Sequence, residues 1–197
     1  MTSTVVTHAL PMHRGIWMID NAHTTVAFAV RHLGLSKVRG RFDTVAGRLD
    51  VGDDLESSSV EARIAIDSLT TGNVERDLHL ASTDFLDRST HPDLTFSSSK
   101  LRARGELFVM TGDLTIRDIT NSIELDVEFF GTSTNPLDGS ERAGFYASGS
   151  FSRRSFGIEF DVALAGDKVL IADKVHLELD VEVVAQDVAG ADSGATS

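Results

Sequence analysis

Hydrophobic and polar residues alternate along most of this chain. Within residues 23–32, Val26, Phe28 and Val30 lie two residues apart, with small or polar residues beside them. This two-residue period is typical of a β-strand with one buried and one solvated face. The same alternation recurs in nearly every later segment, and it is clearest over residues 175–183. The chain is therefore predicted to be an all-β protein.

The alternation predicts roughly eight to ten strands, several of them about ten residues long. A short strand is expected around Trp17–Asp20. Between Lys37 and Val51 the apolar positions change parity, which predicts a β-bulge inside one strand. Long strands and only 3 prolines favour a closed antiparallel barrel over a sandwich of short strands. A barrel of eight strands is about the size at which the interior is either filled or hollowed for one ligand.

One segment departs from the strand pattern and predicts a short helix at about residues 73–82. Asn73 provides a capping side chain, and Asp77 lies in the first turn, where negative charge favours the helix dipole. Leu78 and Leu80 are expected to pack this helix against one end of the strands.

Length and composition are those of one domain, with 197 residues of which 41% are hydrophobic. We expect a flexible arm over residues 1–14, one barrel over residues 15–185 and a disordered tail over residues 186–197. No stretch approaches the ~20 apolar residues that span a bilayer, and no signal peptide is recognised. The expected location is the cytoplasm, and a homodimer is compatible with the pattern.

The charge balance excludes some partners. The chain has 18 Lys+Arg and 30 Asp+Glu, so its net charge is −12. This balance argues against a nucleic-acid partner and against attachment to anionic lipid through a basic patch. The chain has 0 cysteines, which removes disulfides and thiolate ligands.

Candidate chemical groups are few. None of the 7 histidines has the spacing of a known zinc motif. His32 shares the strand face of Phe28 and lies at one end of that strand. Arg76, Asp77 and His79 combine charges with a base, but we interpret them as the anchor of the helix to the strand ends. We predict no catalytic residue, no metal site and no cofactor.

Several short motifs occur in a characteristic order. They are Trp17-x-Ile19-Asp20-x-x-His23-Thr24-x-Val26-x-Phe28-x-Val30-x-His32, Val38-x-Gly40-x-Phe42, Ser68-Leu69-Thr70-Thr71-Gly72-Asn73-x-x-Arg76-Asp77-x-His79-Leu80, Gly112-x-Leu114-Thr115-Ile116-Arg117 and Arg153-x-x-Phe156-Gly157. In their order and spacing, over residues 16–184, the chain resembles the YceI-like family. The resemblance implies a lipocalin-like extended barrel around an apolar tunnel that binds polyisoprenoid chains, including isoprenoid quinones.

The parity of the strands indicates which side chains face such a tunnel. The predicted ligand-binding residues share the inward face: Phe28, Val30, His32, Phe42, Ile64, Ile66, Leu94, Phe96, Leu125, Val127, Phe129, Phe145, Phe151, Leu177 and Leu179. Gly40, Ala147 and Gly149 lie on the same faces and are expected to leave room. The alternative is that these residues pack together as a filled core.

Three classes of function are consistent with these observations. The expected one is non-enzymatic binding, storage or transport of an isoprenoid lipid, which requires only an apolar wall. An isomerase or cyclase acting on an apolar substrate would require an inward acid or base near the middle, whereas His32 lies at an end. An interaction module would require an exposed apolar patch, for which Phe108 and Phe130 are the candidates.

Overall fold

A computed structural model describes residues 10–162 and 169–186. In these residues the chain forms eleven strands and one α-helix. The strands are β1 (Gly15–Ile19), β2 (Thr25–His32), β3 (Ser36–Phe42), β4 (Val45–Val51), β5 (Ser59–Ala65), β6 (Leu69–Thr70), β7 (Asp93–Arg104), β8 (Leu107–Ile116), β9 (Ile119–Thr134), β10 (Glu141–Ser152) and β11 (Ile171–Ala185), and the helix is α1 (Val74–Leu80).

The strands form one closed sheet in which every pairing is antiparallel. β1 pairs with both β4 and β11, so the order β1-β4-β5-β7-β8-β9-β10-β11 closes on itself. β1 and β2 both pair with β11, one after the other, and together they occupy the position of one strand of the barrel. In the same way, β3 and β4 form the next strand position, and β5 and β6 form the one after it. Three pairs of short strands thus act as three long, interrupted strands. The predicted eight-stranded antiparallel barrel with one short helix is confirmed, and each long strand pairs with its neighbours in sequence.

The three interruptions lie side by side across the sheet. The side-chain amide of Asn21 donates to the carbonyl of Asp43 (3.2 Å) and accepts from the backbone N–H of Val45 (2.6 Å). The backbone N–H of Asp43 donates to the carbonyl of Ser68 (3.2 Å). The predicted bulge between Lys37 and Val51 is therefore wrong, because the change of parity marks the break between β3 and β4.

Two glycines allow aromatic rings to lie flat against the sheet. A Cβ on Gly40 would stand 2.4 Å from Cζ of Phe28, and a Cβ on Gly112 would stand 2.3 Å from Cζ of Phe96. The space that Gly40 was expected to leave for a ligand is therefore filled by Phe28. Gly149 is similar, because its missing Cβ would lie 2.7 Å from Cδ2 of Leu125.

One end of the barrel, which we call the plug end, is sealed by packed side chains. Trp17 is fully buried there, and its indole N–H donates to the carbonyl of His13 (3.1 Å). Leu10 and Val183 are buried in the same cluster. Of the flexible arm predicted for residues 1–14, residues 1–9 lie outside the described residues, as do residues 187–197 of the predicted tail.

The opposite end, which we call the helix end, is covered by α1. Asn73 caps the helix by accepting from the backbone N–H of Arg76 (3.0 Å), as the sequence predicts. No residue of α1 is buried. The expectation that Leu78 packs against the strands is wrong, because its side chain is 61% exposed on the outer face. Leu80 is half-buried and packs against the main core.

Candidate functional site

A cavity of about 750 Å³ occupies the interior of the barrel. Most of its wall is aliphatic or aromatic, because the inward positions of the alternating strands carry those side chains. Twelve of the fifteen predicted residues line it: Phe28, Val30, His32, Phe42, Ile64, Leu94, Phe96, Leu125, Phe145, Phe151, Leu177 and Leu179. Ala147 also lines the cavity. Their role in binding a ligand stays a prediction.

The other three predicted residues do not line the cavity. Ile66 follows the end of β5 in a 3₁₀ turn, so the parity of that strand no longer applies to it. Val127 is buried in the core. Phe129 packs against the ring of Phe145, with the centroids 5.2 Å apart, and against the plug-end cluster.

The cavity also has lining residues that were not predicted. Val181 and Val183 continue the alternation of Leu177 and Leu179, so the same period would have found them. Phe160 lies in an irregular segment, where no period indicates which way a side chain points. Strand parity thus predicts the barrel wall but not the cover of the helix end.

The titratable groups on the cavity wall are unevenly distributed. Among the described residues that line the cavity, none has a carboxylate. The titratable side chains there are four arginines and two histidines: Arg31, His32, Arg48, Arg76, His79 and Arg153. Acid–base chemistry in such a site would depend on a histidine. His32 ends β2 and His79 lies in α1, so both are at the helix end.

Arg153 has a structural role beside the cavity. Its side chain is buried, and its guanidinium donates to the carbonyls of Ile158 (2.6 Å), Ala172 (3.2 Å) and Ile171 (3.2 Å). Burial lowers the pKa of Arg153, and this effect is larger than the opposing attraction of nearby carboxylates. Because its donors are used by backbone carbonyls, Arg153 holds the loop after β10 against β11.

Thr71, just after β6, anchors the helix. Asp77 accepts from the backbone N–H of Thr71 (2.9 Å) and from its hydroxyl (2.5 Å). Arg76 donates to the same hydroxyl (2.7 Å) and to the carbonyl of Thr71 (3.0 Å). The two charged side chains therefore meet on Thr71 and tie α1 to a strand end. This geometry agrees with the predicted anchor, although Thr71 mediates the charge-assisted contacts.

His79 belongs to an aromatic cluster at the helix end. Its Nε2 lies 3.0 Å from Oδ2 of Asp84. Its ring meets the rings of Phe85 and Phe160 edge-on, with centroid distances of 5.0 Å and 4.8 Å. The cluster closes part of the opening between α1 and the loop after β10.

A second charged cluster lies at the break between β1 and β2. Asp20, His23 and Glu182 place three ligand-type atoms within 4.8 Å of one another. Arg142 donates to Asp20 (2.6 Å) and also binds Glu182. The hydrogen bond from His23, followed by those from Arg142 and the backbone N–H of Ala22, lowers the pKa of Asp20 to about 2. Arg142 balances both carboxylates, so the cluster ties the break to β10 and β11.

None of the helices in the described part of the chain is long and apolar enough to cross a membrane.

Comparison with known proteins agrees with this architecture. A model of the YceI-like domain matches residues 17–183. A UPF0312 protein of Staphylococcus aureus is 37% identical over 165 residues, which cover 83% of this chain and 94% of the relative. The crystal structure of a Campylobacter jejuni YCEI protein is 30% identical and has a TM-score of 0.66, covering 80% of this chain and 90% of that one.

A more distant structure shares the fold. A polyisoprenoid binding domain from Saccharophagus degradans, implicated in plant cell wall breakdown, has a TM-score of 0.63 with 14% sequence identity. The alignment covers 88% of this chain and 100% of that domain. At this identity, the match shows a common barrel.

Proposed function

The chain belongs to the YceI-like domain family, and on that premise we propose that it binds, stores or carries an isoprenoid lipid in its barrel without enzymatic chemistry. The class of ligand proposed is a polyisoprenoid or an isoprenoid quinone. The observation that supports this most directly is the 750 Å³ cavity, whose described wall is largely aliphatic and aromatic and contains no carboxylate. The shared fold with a domain that binds polyisoprenoids supports the same choice.

The cavity suits an apolar chain in both size and chemistry. Its volume lies in the upper part of the roughly 300–1,000 Å³ found for small-molecule sites. Burying a CH₂ group contributes about 0.8 kcal/mol, so a five-carbon isoprene unit gains about 3–4 kcal/mol before the entropic costs of binding. A few units provide useful affinity without any hydrogen bond. We therefore expect loose selectivity for the head group and stricter selectivity for the width of the chain.

The distribution of polar groups favours binding over catalysis. The two cavity-lining histidines lie at the helix end, and His79 already contacts Asp84. An isomerase or cyclase would need a proton donor or acceptor beside the reacting carbons in the middle of the cavity. The middle of the described wall instead carries side chains such as Phe96, Leu125 and Ala147.

The proposal is tested by extracting the protein from its native host with organic solvent and analysing the extract by mass spectrometry. We expect a stoichiometric isoprenoid, and we expect the emptied protein to bind added isoprenoid quinone. Repeated extracts without an isoprenoid, together with no binding of added quinone, would overturn the proposal.

Filling the cavity sharpens the test. Ala147 lines the cavity, so Ala147→Phe should lower bound lipid more than about ten-fold while the protein stays folded. Ala46 is exposed on the outside of β4 and provides the matched control, Ala46→Phe, which should bind as the wild type does. In a filled core Ala147→Phe would instead cost about 1–3 kcal/mol by overpacking. Denaturant unfolding and quinone binding distinguish the two cases.

A further inference from the structure

The net charge of −12 conceals a local excess of cations on the β2–β3 hairpin. Residues 31–41 contain four Lys or Arg and no Asp or Glu. Arg31 and Lys37 are directly opposite each other across the two strands, and Arg39 follows two residues later on the same exposed face. Arg41 pairs with a neighbouring aspartate, but no ion pair within the described residues involves the other three. Lys37 and Arg39 thus present their charges to solvent, whereas Arg31 is exposed at the rim of the cavity, which it also lines, and donates to the carbonyl of Gly34 (3.3 Å).

The same end of the barrel exposes apolar side chains. Leu35, at the tip of the hairpin, is 82% exposed, and Val74 and Leu78 on the outer face of α1 are 75% and 61% exposed. The hairpin is tied to the segment before β11 by a hydrogen bond from the N–H of Leu33 to the carbonyl of Leu170 (2.9 Å). We call Leu35, Val74 and Leu78 the apolar rim.

The inner face of the hairpin belongs to the cavity. His32, Ser36 and Val38 line it, and Val30 and Val38 pair across the two strands. One hairpin therefore combines a cationic outer face, an exposed apolar tip and part of the cavity wall. This combination places the opening of the cavity next to a surface that suits the boundary between lipid headgroups and acyl chains.

We propose that the β2–β3 hairpin docks the helix end of the barrel on an anionic lipid bilayer. Leu35 enters the acyl region, and Arg31, Lys37 and Arg39 contact the anionic headgroups. This inference rests on the proposed function, because docking would bring the cavity to the membrane in which an isoprenoid lipid resides. The inference concerns local charge and not net charge, because exposed charges act over a Debye length of about 10 Å.

An anionic bilayer explains the observations better than an acidic protein does. A cationic row alone would suit either partner. Exposed apolar side chains beside it, at the rim of an apolar cavity, add the second feature of peripheral membrane binding, since insertion of apolar groups and headgroup attraction act together.

Co-sedimentation of the full chain with vesicles tests the docking surface. We expect binding to vesicles of phosphatidylglycerol and phosphatidylcholine, weaker binding at high salt, and little binding to pure phosphatidylcholine. Each cation near such a surface contributes about five-fold in affinity, so Lys37→Glu/Arg39→Glu should weaken binding more than about ten-fold. Lys100→Glu, at an exposed position of β7, is the matched control and should change binding less than about two-fold.

The apolar tip is tested in the same assay. Leu35→Ser should weaken binding to the anionic vesicles several-fold. Leu137 is 93% exposed on the turn between β9 and β10 at the plug end, so Leu137→Ser controls for the loss of an exposed leucine and should have no effect. Circular dichroism establishes that each variant keeps the strand spectrum of the wild type.

The outcomes separate this inference from the proposed function. Absence of vesicle binding in protein that yields an isoprenoid on extraction would overturn the docking surface and leave the lipid carrier intact. Hairpin-dependent vesicle binding by protein that yields no isoprenoid and binds no added quinone would support the docking surface and contradict the carrier. Equal binding to neutral and anionic vesicles, or hairpin-dependent binding to polyglutamate but not to vesicles, would also overturn the inference.

Discussion

The two ends of the barrel are closed in different ways. At the plug end, Trp17 and Val183 are almost completely buried and lie in β1 and β11, which hydrogen-bond to each other through their backbones. At the helix end, the seven residues of α1 include none that is buried, and a few hydrogen bonds to Thr71 hold the helix. Local opening follows the fewest buried contacts. The comparison therefore predicts that the helix end opens more readily than the plug end.

The largest expected effect is at the plug end. Trp17→Ala removes a fully buried indole and should lower the free energy of unfolding by about 3–5 kcal/mol. Leu80→Ala, at the helix end, removes a half-buried side chain and should cost less than half of that. Urea unfolding of both variants, monitored by circular dichroism, measures the difference. Equal costs would show that the two ends are sealed equally well and would break the comparison.

A smaller effect is expected from the anchor of α1. Asp77→Asn weakens the contacts with the N–H and hydroxyl of Thr71, which should cost about 1–3 kcal/mol and lower the melting temperature by several degrees. His79→Ala should act in the same direction by removing its contacts with the aromatic cluster.

Measuring bound lipid in the two anchor variants distinguishes a structural role of these residues from a role in ligand binding. Under the proposed function both variants should still retain bound isoprenoid, because the two residues hold the cover of the cavity. Glu106→Gln changes an exposed carboxylate in the turn between β7 and β8 and serves as the control, with an unchanged melt. Unchanged melting with abolished lipid binding would instead place Asp77 and His79 in the ligand site.

The smallest effect concerns Asp20, on the plug-end side of the strand break. Its pKa is lowered from 3.8 to about 2 in the folded protein, chiefly by the hydrogen bond with His23. The ionised carboxylate therefore stabilises the fold above pH 3.8, and this contribution is lost as the pH falls from 3.8 towards 2. Screening by solvent reduces it to about 1 kcal/mol.

Comparing wild type and Asp20→Asn by urea unfolding at several pH values measures that contribution. The wild type should be more stable by about 1 kcal/mol at pH 6, and the difference should shrink towards zero near pH 2. A difference that is constant with pH would show that the cost of the substitution comes from geometry and not from ionisation.

Sequence alone predicts the barrel wall well, because in a strand with one buried face the apolar side chains recur every two residues. Phe28, Phe96 and Leu177 were predicted on that basis and line the cavity. The prediction fails where the strand ends, as at Ile66, since the parity of one strand does not carry into the next segment.

The cover of the cavity is harder to predict for the same reason. Phe160 approaches His79 from an irregular loop, and only the folded chain shows that the two rings meet. The argument from net charge stays a prediction, and a sum over the whole chain does not reveal the four cations within residues 31–41.

The pairing that closes the barrel, between β11 and the strands β1 and β2, has a consequence for biosynthesis. β11 pairs with β1 and β2, so Trp17 meets Ala185 and Thr25 meets Asp180, whereas each other pairing joins long strands that are adjacent in sequence. A ribosome adds about 5–20 residues per second, so these 197 residues take roughly 10–40 s to make. Until β11 emerges, the nascent sheet has two unpaired edges, which are open to aggregation. The cavity is complete only when that last strand pairs, so the protein that we propose as a lipid carrier would take up its ligand after translation.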